Sequence, residues 1–180
     1  SRPGLTVALY HGQSARESVR FLMDYYRDEA PYLARPEVDN AQRFLSVADA
    51  AVTRPFGSAK NVERPEDAAR AGADLVAVLE ARTAVKRDLR FVKHARVELK
   101  VEFRDLAGKR IVALEAASVQ APIVDARVRV RRDLYREFAA ALDAAAAELE
   151  AAVRAAPELA LFAPLQASGG SVAPGAAGRA

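Results

Sequence analysis

The chain has 180 residues, 51% of them hydrophobic and 28% charged, which is enough for one domain with a buried core. Its 27 basic residues stand beside 24 acidic ones, so composition supplies no broad cationic face of the kind a nucleic-acid binder clusters with aromatics. The absence of cysteine excludes structural disulfides, thiolate metal sites and cysteine nucleophiles, and no stretch approaches the roughly 18 uninterrupted apolar residues of a membrane-spanning helix.

Leu5 to Tyr10 (LTVALY) is a short apolar run rich in β-formers and predicts a first strand, closed by His11-Gly12. Ser14 followed by Glu17 has the spacing of a capping box, and Val19, Leu22, Met23 and Tyr26 recur at helical intervals. That helix should stop before Pro31, because proline removes a donor and clashes with the preceding turn. A loop to Pro36 leads to a second helix starting at Asp39 or Asn40, with Phe44, Leu45, Ala48 and Val52 on one side and Pro55-Gly57 at its end. Ser58 to Glu63 reads as a weak strand.

Arg64-Pro65-Glu66-Asp67 places proline and acids at a helix start, where the dipole favours negative charge. The helix is short, and Gly72 stands just past its C-cap, where a left-handed backbone is favourable for glycine. Asp74 turns the chain into LVAVLEA, an unalternating apolar run that predicts a central strand covered on both faces. From Ala95 to Phe103 the pattern alternates: Val97, Leu99, Val101 and Phe103 on one face, Arg96, Glu98, Lys100 and Glu102 on the other. This is an antiparallel strand with one wet face. RDLAGKR supplies a turn through Asp105 and Gly108, and Ile111 to Ala117 returns as the hairpin's second strand. Asp133 to about Ala155 is a long helix with Leu134, Phe138, Ala141, Leu142, Ala145, Leu149 and Val153 in one stripe, suited to cover the hairpin. The expected fold is therefore α/β (α+β): a mixed sheet with a β-hairpin, covered by helices including the long C-terminal one. The expected domain spans residues 1–157, and 158–180 is an Ala/Gly/Pro-rich, partly flexible tail.

Chemistry-bearing motifs are sparse. His11 and His94 are the two histidines, and neither has metal-ligand spacing; both read as strand-end side chains with local partners. A Ser14-His11-Asp24 triple can be written down, but no GxSxG elbow accompanies it. Asp67, Asp74 and Glu80 could be grouped as paired carboxylates, yet the first two are explained by a helix start and a turn. GQSARES lacks the second glycine and the lysine of a phosphate loop. No catalytic residue, metal site or cofactor is expected. The strongest recognition candidates are the run Arg127, Arg129, Arg131, Arg132 and Arg136, suited to an acidic lipid, polysaccharide or protein, and the tyrosines Tyr25, Tyr26 and Tyr32, suited to an interface.

Three segments together, PEDAARAGADLVAVLEAR, VELKVEFRDLAGKRIVALEA and RDLYREFAAALDAAAAEL, resemble a superfamily of periplasmic lipoproteins. Its members include the curli-secretion channel subunit, the exopolysaccharide lipoprotein PelC, the penicillin-binding-protein activator lipoprotein and the amino-terminal domain of TolB. The resemblance covers about Leu5 to Ala155, and its motifs are structural. It implies a non-enzymatic part of a Gram-negative envelope machine, periplasmic and held at the outer membrane by a lipid anchor, often oligomeric. Envelope proteins or polysaccharide would be its partners, and nucleic acid would not. A start at Ser1 rather than Met agrees with a processed lipoprotein trimmed just after its acylated cysteine. Three alternatives stand beside this reading: an auxiliary subunit of an envelope transport or secretion complex, a small enzyme with His11 near its site, and a cytosolic regulator.

Overall fold

The computed structural model describes residues 2–29, 36–87, 93–120 and 134–162. In chain order these form β1 (Arg2–His11), α1 (Gln13–Glu29), α2 (Pro36–Thr53), β2 (Phe56–Asn61), a 3-10 turn (Pro65–Asp67), β3 (Leu75–Arg87), β4 (Lys93–Arg104), β5 (Arg110–Gln120), α3 (Leu134–Ala155) and α4 (Pro157–Leu161). The strands make one mixed sheet in the order β2-β1-β3-β4-β5. β1 pairs in parallel with both β2 and β3, and β3-β4-β5 continue as antiparallel neighbours. The α+β class expected from the pattern is the class observed, with β3 central as predicted.

The main core lies on one face of the sheet. Val7 and Leu9 of β1, Leu75, Ala77, Leu79 and Ala81 of β3, and Val97, Leu99, Val101 and Phe103 of β4 point into it, each no more than 2% exposed. Helix α3 packs across β4 and β5 with the stripe read from its sequence: Phe138, Ala141, Leu142, Ala145, Leu149 and Val153 are all buried. Small residues on that stripe let the helix approach the large β4 side chains closely, and Phe56 of β2 meets Phe103 at 5.6 Å between ring centroids. Leu159 of α4 is also buried in this core, so packing continues past Pro157.

The opposite face changes character along β3. At its start Val76 packs with Ala8, Ala68 and Ala73 in a small second cluster, formed because the segment after Pro65 folds over the sheet. That segment ends in a Schellman motif: Ala73 N–H donates to the Ala68 carbonyl and Gly72 N–H to the Ala69 carbonyl, both at 3.0 Å, with Gly72 at φ 69°. The double coverage predicted for LVAVLEA therefore holds from Leu75 to Leu79. Beyond it β3 alternates, with Ala81 buried and Arg82 and Ala84 exposed.

The hairpin turn is built as its residue types require. Asp105 Oδ1 accepts from Ala107 N–H at 3.0 Å and Lys109 N–H at 2.8 Å, and Gly108 takes φ 84°. Other local expectations shift. The second helix starts earlier, at Pro36, where proline suits the first turn, and β2 starts at Phe56, so Gly57 lies within a strand. Ser14 is not a capping-box residue: α1 already begins at Gln13, the Glu17 carboxylate takes the Gln13 amide at 2.7 Å, and Ser14 faces β3.

Candidate functional site

Three of the polar residues that the sequence singles out, His11, Ser14 and Glu80, lie at the carboxyl end of β1, where the sheet narrows. β1 stops pairing at His11 opposite Leu79, while β3 runs on to Arg87. Ala81 of β3 thus has a backbone N–H and C=O facing an edge with no strand beside it, and such groups need partners. Helix α1 supplies them. Ala81 N–H donates to Ser14 Oγ at 3.2 Å, and Ser18 Oγ donates to the Ala81 carbonyl at 2.8 Å. Serines four apart lie on one helix face, so together they stand in for the missing strand.

Glu80 completes the joint. Its carboxylate accepts Ser14 N–H at 3.0 Å and the Ser14 hydroxyl in a short contact, placing a negative charge on the first turn of α1, where free N–H groups and the helix dipole attract it. The same carboxylate presses on Gly12: a Cβ there would meet the Glu80 carboxylate and displace it from the start of α1.

On the core side of β1, His11 Nε2 meets Asp49 Oδ1 of α2 at 2.7 Å, with side chains 24% and 23% exposed. On the other side Arg16 packs over the Tyr10 ring at 5.3 Å, donates to the Tyr10 hydroxyl at 2.9 Å, and reaches the His11 carbonyl through Nε and Nη2 at 3.1 and 2.9 Å. The carboxylate partner of His11 is Asp49, not Asp24, and no described hydrogen bond joins His11 to Ser14. His94 lies opposite Lys86 in the β3-β4 register, seven residues along β3 from the position opposite His11, which is roughly 20 Å at strand rise. The suggested carboxylate group is also dispersed. Asp67 contacts Arg70 at 3.3 Å, Asp74 Oδ2 accepts Thr6 N–H at 2.7 Å, and Glu80 holds Ser14. Among the described residues no three His, Asp or Glu side chains converge as a metal would need.

A second feature is the outer face of β3-β4-β5, which borders a depression of about 910 Å3 whose lining mixes charged side chains of the sheet with Ala81, Leu99, Ala116 and Ala117 and takes in Glu17 of α1 and Glu148 of α3. Cross-strand register sets its chemistry in rows. Glu80 stands opposite Lys100, which stands opposite Glu115, and Arg82 stands opposite Glu98, which stands opposite Ala117. Arg96 makes a short ion pair with Glu98. Arg82, Lys100 and Glu115 make no hydrogen bond or ion pair among the described residues, so their charge is available to a ligand. The strand alternation shows this face as charged; the register that sorts it into rows becomes visible only once the strands are paired.

Of the recognition candidates from sequence, Arg127, Arg129, Arg131, Arg132 and Tyr32 lie outside the described residues. Arg136 falls in the first turn of α3, and Tyr25 and Tyr26 fall in the second half of α1. Asp49 and Arg16 are the site residues that the sequence does not single out; Glu80, grouped there with Asp67 and Asp74, stands apart from both at the α1-β3 joint.

No protein-family model matches the chain, and no curated protein matches it. Solved structures with a similar fold do exist. A PelC dodecamer from Paraburkholderia phytofirmans is similar at 13% identity, with 82% of this chain and 90% of that one covered and a TM-score of 0.45. A minor lipoprotein from Acinetobacter baumannii is similar at 12% identity, 83% and 92% coverage and a TM-score of 0.43. A protein from Chlamydia trachomatis is similar at 10% identity, 84% and 99% coverage and a TM-score of 0.43.

Proposed function

We propose that this chain is a non-enzymatic accessory protein of the bacterial cell envelope, periplasmic and held at the outer membrane by a lipid anchor, that assists assembly or export by binding protein or polysaccharide. The observation that carries the reading is a division of labour among polar groups. Those gathered at the end of β1 are committed to joints of the fold: Ser14 and Glu80 to the α1-β3 edge, His11 to α2. Those on the outer face of β3-β5, Arg82, Lys100 and Glu115, are exposed and make no hydrogen bond or ion pair among the described residues. His11, Ser14 and Glu80 each hold one element of the fold to another, which supports a structural role for them. The envelope location draws on the sequence resemblance, and among the described residues no helix is long and apolar enough to cross a membrane.

The arginine run from Arg127 to Arg136 and the tyrosines Tyr25, Tyr26 and Tyr32 are a further contact region in this reading, one for acidic groups and one for an apolar or glycan surface. Self-association is part of the same proposal. Function as an auxiliary subunit of a transport or secretion complex is a narrower form of it, separated by which partner is found.

The test is a photo-crosslinking residue placed at Ala117 on the outer face, with Ser58 on β2 as the control, in fractionated bacteria expressing the full gene. Envelope fractionation with adducts from position 117 and none from 58 is the expected outcome. A cytosolic chain, or equal adducts from both positions, would contradict the proposal, as would a turnover abolished by His11→Ala.

A further inference from the structure

Strand β5 leaves the sheet with a long open edge. Backbone groups of successive residues point to alternate sides of a strand, and two hydrogen bonds fix the sides here. Gly12 N–H donates to the Leu79 carbonyl at 2.8 Å and Ala81 N–H to Ser14 Oγ at 3.2 Å, so the odd-numbered residues of β3 turn toward β1 and α1, and the even-numbered ones toward β4. The register then turns the even residues of β4 to β3, its odd residues to β5, and the even residues of β5 back to β4. Ala113, Glu115, Ala117 and Val119 are left with N–H and C=O facing outward, and none of the four hydrogen-bonds through them among the described residues. Their side chains are exposed, that of Val119 to 51%. The usual protections of an edge are thin here. Between Arg110 and Gln120 there is no lysine, arginine or proline, and Glu115 is the one charge; the opposite edge, β2, has only 6 residues, with Gly57 and Lys60 among them.

We propose that β5 pairs antiparallel with β5 of a second copy, about a two-fold axis through Ala116. A two-fold normal to the sheet keeps outward-facing residues matched with one another. With Ala116 on the axis, Glu115 lies opposite Ala117 and Ala113 opposite Val119, each twice, so all four outward-facing residues are paired and Val119 is covered. A register with Glu115 on the axis would set two carboxylates face to face. The helices favour a second copy over an unrelated strand. α3 lies across β4 and β5, so a strand added at about 4.8 Å with its own α3 brings the two helices to roughly 10 Å, an ordinary packing distance. Asp143 and Glu150 of α3 reach Arg43 and Arg54 of α2. The flank turned the other way carries Ala144, Glu148, Ala151 and Ala155, all exposed, and Glu148 borders the same depression as Glu115 and Ala117. The alanines on this flank allow the close approach, and the Glu148 side chain is long enough to keep its carboxylate in water. The proposal rests on the self-association in the proposed function and gives it a surface.

The experiment uses the purified full chain, which has no cysteine. Ala113→Cys and Val119→Cys chains, mixed and oxidised, should form a disulfide joining one of each, because opposed residues of an antiparallel pair lie within its span. Either chain alone should give almost none, since roughly 20 Å of strand would separate its own two thiols. Light scattering of the parent should show a reversible dimer below about 1 mM. Ala117→Glu should weaken that dimer and Ala117→Lys strengthen it, each about threefold, as both stand opposite Glu115 of the second copy. Ala117→Pro removes an N–H that bonds nothing among the described residues, so it should abolish the dimer and melt with the parent; where it melts early, the Glu and Lys variants carry the test. A parent that stays monomeric throughout overturns the proposal. So do disulfides from either chain alone at the mixed yield, and so does a dimer to which Ala117→Glu and Ala117→Lys are indifferent. Envelope adducts from a chain that is monomeric when purified would remove the dimer and leave partner binding standing.

Discussion

The two halves of the sheet share one core and differ on the other side. In the parallel half, β2-β1 and the start of β3, the second face is closed by the Pro65–Ala73 segment, and the polar groups at the strand ends bridge one element to the next. In the antiparallel half, from Glu80 through β4 and β5, the second face is open and carries rows of charge, in which Arg96 pairs with Glu98 while Arg82, Lys100 and Glu115 make no ion pair among the described residues. The lesson concerns what a polar side chain is for. A group at a place where backbone pairing stops is recruited to satisfy that backbone, whereas a group on a completed antiparallel face has no such duty and remains available for recognition.

Perturbing the shared core should have the largest effect. Leu99→Ala or Phe103→Ala opens a cavity between β4 and α3 and should cost about 3–5 kcal/mol in urea unfolding. Next comes the joint. Gly12→Ala drives a Cβ into the Glu80 carboxylate and should cost about 2 kcal/mol by expelling it from the α1 terminus. Made in a Glu80→Ala background, the same change should cost much less, because the collision partner is gone; equal costs in both backgrounds would show that Glu80 is not the constraint. His11→Ala removes a partly exposed bridge to α2 and should cost about 1 kcal/mol.

Smaller effects sharpen the contrast. Arg154 donates to Glu150 at 2.6 Å and, with a lesser contribution from Arg54, holds its carboxyl below the usual range against some opposing burial. A carboxyl whose folded pKa is depressed stabilises the fold above its unfolded pKa, and that stabilisation is lost as pH falls through the folded one. Glu150→Gln should therefore cost about 0.5 kcal/mol at neutral pH, the pair being largely solvated, and the difference from the parent should vanish in acid melts. Arg82→Gln and Lys100→Gln on the open face should change stability by less than about 0.5 kcal/mol.

Much of this architecture is legible in the sequence because its causes are local. Period two in Val97 to Phe103, Asp105 and Gly108 in the turn, Gly72 after its short helix and the stripe from Phe138 to Val153 each encode their element within a few residues. The joints were not legible for the opposite reason. Ser14 and Glu80 are 66 residues apart and His11 and Asp49 are 38 apart, and the nearby Glu17 gives Ser14 the false signature of a capping box. Sequence alternation could show that Arg96 to Glu102 form one face, but not that β5 would set Glu115 beside Lys100. That the double cover of LVAVLEA ends at Leu79 is not legible, because it depends on where the Pro65–Ala73 segment folds, which is a tertiary fact.

The central claim, that the outer face of β3-β5 is a recognition surface dispensable for folding, is tested most directly on the Arg82→Gln/Lys100→Gln double variant carrying the crosslinker at Ala117. The account predicts a melting curve superimposable on the parent and loss of the envelope adducts. Adducts retained at parental yield, or a fold that collapses when these two charges are removed, would contradict it.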